Sequence, residues 1–81
     1  MKNRQLVRYS LFQIVYRGKR RFYLSLRFKE DMSLVELLTD EEQAHFVFKT
    51  IRRGGVTPCT LVEVLGDMLP DGFRIQKQKI V

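Results

Sequence analysis

The chain has 81 residues, a length that fits one domain spanning 1–81, and folding at this size buries only about 60% of the accessible surface. A composition 44% hydrophobic and 30% charged excludes a disordered tail, and the single cysteine, Cys59, excludes an intramolecular disulfide framework. The formal charge is +6, from 15 Lys and Arg against 9 Asp and Glu, and no acid occurs before Glu30.

Residues 5–16, QLVRYSLFQIVY, mix aromatic and β-branched residues with polar ones at near-alternating spacing, which predicts a strand. RGKR, residues 17–20, follows as a tight turn, with Gly18 free to take φ > 0. Phe22, Leu24, Leu26 and Phe28 then alternate with Tyr23, Ser25, Arg27 and Lys29. That pattern predicts a half-buried strand with one apolar face and one basic face, and hence an antiparallel sheet. Glu30-Asp31 makes the next turn, and MSLVELL, residues 32–38, is a third strand.

Thr39-Asp40-Glu41-Glu42 has the form of a capping box, with Thr39 as N-cap and Glu42 reaching back to it. The helix it opens carries Ala44, Val47, Phe48 and Ile51 as a core-facing stripe. It ends at Arg52 and Arg53, with Gly54 or Gly55 as the residue after the cap. Thr57 as N-cap and Pro58 at the first position begin a second helix, whose stripe is Leu61, Val64, Leu65 and Met68. Pro70-Asp71-Gly72 stops it. The segment 73–81, FRIQKQKIV, alternates at first and then turns basic, as a fourth strand or a flexible tail. The expected fold class is α+β: a small antiparallel sheet of three or four strands with two helices on one face, in the order β-β-β-α-α(-β).

This organisation resembles a small bacterial domain family of the Firmicutes that has no assigned activity. The resemblance spans roughly residues 12–69. It rests on the aromatic hairpin, the strand leading into Thr39-Asp40, the Val56-Thr57-Pro58 link with Leu61, and the closing Val64, Asp67 and Leu69. It implies the same α+β fold and a bacterial cytosolic origin.

The glycine pair of RRGGVTPCTLVEVL matches neither nucleotide fingerprint. It follows a helix, no lysine comes after it, and Pro58 removes an amide. The stretch reads as helix punctuation. Cys59 falls near a helix N-terminus, where a thiol is a candidate for reactivity, but sequence places no base beside it. The lone His45 is expected to be a surface or packing residue, and one His with one Cys does not supply the four ligands of structural zinc. No metal, cofactor or enzymatic activity is therefore expected. The longest apolar runs fall far short of the roughly 20 residues that span a membrane, and MKNRQLVRYS has no apolar signal region, so a cytoplasmic protein without membrane contact is expected.

The basic residues are the candidate site. Arg17, Lys19, Arg20 and Arg21 cluster at the hairpin turn, Arg8, Arg27 and Lys29 share a strand face with Tyr23, and Arg74, Lys77 and Lys79 lie near the C-terminus. Cations around a tyrosine on an open sheet suit phosphates and bases. Lys and Arg also protect strand edges from aggregation. The first reading from sequence is a non-catalytic protein-interaction or regulatory module acting through a protein partner or a homodimer. The alternative is nucleic-acid binding by the basic hairpin and sheet face.

Overall fold

The structure, a computed structural model, describes residues 6–81. Strands β1 (Arg8–Tyr16) and β2 (Lys19–Phe28) form a hairpin closed by Tyr16 opposite Lys19. Its two-residue loop holds Arg17 at φ 53° and Gly18 at φ 75°. Both are left-handed, as a type I′ turn requires, and that turn matches the twist of the strands it joins. A second two-residue loop, Lys29-Glu30, leads into β3 (Asp31–Leu37), with Lys29 at φ 59°. Strand β4 (Phe73–Lys79) pairs antiparallel with the outer side of β3. The sheet therefore has four antiparallel strands in the order β1-β2-β3-β4, and residues 73–79 belong to it.

Helices α1 (Glu41–Arg53) and α2 (Pro58–Met68) lie between β3 and β4 in the chain and cover one face of the sheet. Ala44, Val47 and Ile51 of α1 and Leu61 and Leu65 of α2 pack with Phe22, Leu24, Leu26, Val35 and Leu37 in one cluster. Burying each leucine or isoleucine side chain there contributes about 1.5–3 kcal/mol. The period-two pattern of β2 and the helical stripes thus face each other across the core. Ser33, also buried on that face, donates to the Pro58 carbonyl at 3.4 Å and ties β3 to the start of α2. Tyr9 does the same for β1: its hydroxyl donates to the Val56 carbonyl at 2.9 Å, and burial pushes the phenol above its ordinary value of 10.0.

The start of α1 corrects the sequence expectation by one residue. The N-cap is Asp40, whose Oδ1 accepts from the Gln43 amide at 2.8 Å, so Thr39 and Glu42 do not form the cap. TDEE and DEEQ both satisfy the capping pattern, and the chain adopts the second. The Leu38 amide donates to the Gly72 carbonyl at 2.7 Å, which ties the residue after β3 to the turn that precedes β4. Glu42 instead joins Glu41 in the first turn, favoured there by the helix dipole.

The far end of α1 is a Schellman motif. Gly54 is the cap in a right-handed conformation, and Gly55, at φ 65°, is the left-handed residue. The Val56 amide reaches the Ile51 carbonyl at 3.2 Å, and the Gly55 amide reaches the Arg52 carbonyl at 3.1 Å. Thr57 and Pro58 then open α2 as the sequence implies, the Thr57 amide donating to Thr60 Oγ1 at 3.4 Å. No helix among the described residues is long and apolar enough to cross a membrane.

Candidate nucleic-acid interface

Residues opposite each other in an antiparallel ladder point to the same side of the sheet, and successive residues alternate. The register therefore assigns every strand residue to the helix-covered face or to the open one. Four cross-strand rows define the open face: Arg8, Arg27, Met32 and Lys79; then Ser10, Ser25, Leu34 and Lys77; then Phe12, Tyr23, Glu36 and Arg74; then Ile14 and Arg21. Tyr16 and Lys19 extend it to the hairpin tip.

The rows reach β4 correctly because of one irregularity. Leu34 pairs with Lys77 and Val35 with Ile75, so Gln76 is an extra residue in β4. In a regular strand Phe73, Ile75, Lys77 and Lys79 would all share a face. The extra residue lets Phe73 and Ile75 follow Leu37 and Val35 toward the helices while Lys77 and Lys79 turn to the open side.

Of the candidate cations, Lys19, Arg21, Arg27, Arg74, Lys77 and Lys79 come together on the open face, joined by Arg8. Lys29, in the second turn, lines a shallow groove of about 470 Å³ with Arg27, Lys77 and Lys79. Arg17 sits at the hairpin tip with its guanidinium 5.2 Å from the Tyr16 ring centre. Arg20 falls on the other side: it is opposite Val15 and its guanidinium donates to Glu41 of α1 at 2.8 Å. It therefore leaves the basic set that sequence clustering placed it in.

Two further features were not singled out by sequence. Phe12 stacks on Tyr23 across β1 and β2, ring centres 5.5 Å apart and planes 16° from parallel, with Phe12 42% exposed. The signal was their equal distance from the Arg17-Gly18 turn, which becomes readable once the two-residue loop is fixed. Glu36 is the second feature. Its carboxylate, largely buried between strands, lies 4.0 Å from Arg21 and 3.9 Å from Arg74. It is the lone acid in the four open-face rows, so it balances only part of their charge.

The remaining candidates belong to the helix layer. Cys59 is exposed at the second position of α2. His45 is exposed, with Nε2 3.9 Å from Glu41. Asp67 makes no ion pair among the described residues. No group of three or more His, Cys, Asp or Glu among the described residues stands close enough to hold a metal ion.

No family model, curated protein or solved structure matches the chain. The chemistry of the open face is set by its own side chains. Its cations suit a run of phosphates, and its stacked aromatic pair offers apolar surface between them.

Proposed function

We propose that the protein binds single-stranded nucleic acid across the open face of its sheet. The observation that carries this reading is the arrangement of Arg8, Arg21, Arg27, Arg74, Lys77 and Lys79 around the stacked Phe12 and Tyr23. Helices occupy the opposite face, so a strand of nucleic acid lies along the sheet without displacing either helix. Phosphates meet the cations, and an unpaired base stacks on the exposed Phe12 ring. A duplex is a poorer ligand, because its bases are already stacked inside and a broad sheet face does not enter the major groove as a helix or a two-stranded ribbon does. The reading requires no catalytic group and no cofactor, and it sets the protein in the cytoplasm, where single-stranded RNA is abundant.

The test is a titration of fluorescently labelled single-stranded RNA, single-stranded DNA and duplex DNA at low and moderate salt. Binding to both single strands, stronger than to the duplex and weakened by salt, is the expected result. Phe12→Ala is expected to weaken single-strand binding by about 1–3 kcal/mol while leaving the salt slope unchanged, since it removes a stacking surface and no charge. Undetectable binding to every oligonucleotide at low salt refutes the reading.

A further inference from the structure

The two edges of the sheet are built differently. β4 carries Arg74, Lys77 and Lys79 together with the extra residue Gln76. Edge cations and ladder irregularities are two ways proteins keep another strand from adding. β1 has no such irregularity and fewer cations. From Arg8 to Tyr16 it pairs with β2 at every position, contains no proline and carries one charge, Arg8. No strand lies on its outer side among the described residues. Ile14, Val15 and Tyr16 are 46%, 60% and 58% exposed along it. A long, regularly paired edge with exposed apolar side chains is one that folded proteins ordinarily cover.

We infer that β1 is covered by β1 of a second copy of this chain, antiparallel to it about a two-fold axis at Phe12, joining two four-stranded sheets into one of eight strands. The strand itself selects this occupant. Phe12 is the midpoint of Arg8–Tyr16, so pairing over the full length sets Phe12 opposite the partner's Phe12. Arg8 then faces the partner's Tyr16, a cation–π pair, and no like charges meet. Tyr9 faces the partner's Val15, Ser10 the partner's Ile14, and Leu11 the partner's Gln13.

The backbone agrees with this register. Residues that flank a two-residue hairpin loop exchange their hydrogen bonds with each other, and the pattern alternates from there. Tyr16, Ile14, Phe12, Ser10 and Arg8 thus turn their N–H and C=O groups toward β2, while those of Tyr9, Leu11, Gln13 and Val15 point outward. The register centred on Phe12 matches outward groups with outward groups: Leu11 with the partner's Gln13, Tyr9 with the partner's Val15. A two-fold axis normal to the sheet also keeps both open faces on the same side.

The inference stands apart from nucleic-acid binding and is tested without nucleic acid, in high salt. Sedimentation equilibrium of the full chain is expected to give a concentration-dependent dimer. Gln13→Pro, which removes an outward N–H and spares the ladder with β2, is expected to give a monomer with an unchanged far-ultraviolet dichroism spectrum. The register is read by cross-linking in a Cys59→Ser background with oxidised glutathione. Opposed residues at the axis have Cα atoms about 4.5 Å apart, within the disulfide range, so Phe12→Cys is expected to link the dimer fully. Ser10→Cys, whose counterpart lies roughly 13 Å away, is expected not to link. A chain that stays monomeric at every concentration, or equal cross-linking by the two cysteine variants, overturns the inference.

Discussion

Two residues hold the hairpin and the helix layer in place at a local cost or with a local dependence on protonation. Arg17 adopts φ 53°, a conformation that a residue with a Cβ takes only against steric resistance. Asn is the favoured residue before Gly in this turn. Arg17→Asn is therefore expected to raise stability by about 0.5–1 kcal/mol, read as a higher urea midpoint with an unchanged slope. Tyr9 links β1 to the α1–α2 connection through its bond to the Val56 carbonyl. Tyr9→Phe is expected to cost about 0.5–1.5 kcal/mol at neutral pH. Burial raises the phenol above 10.0, so the folded chain holds this proton more tightly than the unfolded chain. Its contribution is complete below pH 10.0 and is lost as pH rises through the elevated folded value. Urea midpoints measured across that alkaline range are expected to converge for the wild type and Tyr9→Phe. Parallel curves would remove the tyrosine from the account.

At the scale of elements, α2 contains one residue with no structural reason to be glycine. Gly66 lies inside the helix, and an added Cβ there would meet nothing within 4 Å. Gly66→Ala is expected to stabilise the protein by about 0.5–1 kcal/mol, seen as a rise in thermal midpoint. Much of this level of organisation was legible in the sequence. The alternation from Phe22 to Phe28, the stripe of Ala44, Val47 and Ile51, and the Thr57-Pro58 start each dictate their element through local periodicity or cap chemistry. What escaped sequence was decided by non-local pairing. The cap of α1 lies at Asp40 and not Thr39, two residues after Leu38, which is bonded to Gly72 more than thirty residues away. The strand character of residues 73–79 depends on the exposed side of β3, and the position of Lys77 and Lys79 depends on Gln76. Arg20 is adjacent to Arg21 in sequence but belongs to the opposite face, where Glu41 holds it. A cluster along the chain is divided by the pleat of a strand, whereas the true cluster is assembled across four strands by their register.

The whole molecule is polarised by this register. Asp40, Glu41 and Glu42 gather at the start of α1 in the helix layer, while Glu36 is the one acid in the four open-face rows and Glu30 lines the groove beside Lys29. Among the described residues, cations thus gather on the open face, beside the stacked rings of Phe12 and Tyr23. The central claim is that the open face, and not basicity in general, binds the nucleic acid. The most direct measurement is the salt dependence of single-stranded RNA binding for two variants of equal net charge. One is Lys77→Ser with Lys79→Ser, on the open face. The other is Lys49→Ser with Arg53→Ser, exposed on α1. Each single-strand phosphate deprived of its cation reduces the magnitude of the salt slope by about 0.7. The account expects the open-face pair to reduce the slope by up to roughly 1.4 and to weaken binding at low salt, with the α1 pair close to wild type. Equal losses of affinity and slope from both pairs would contradict it.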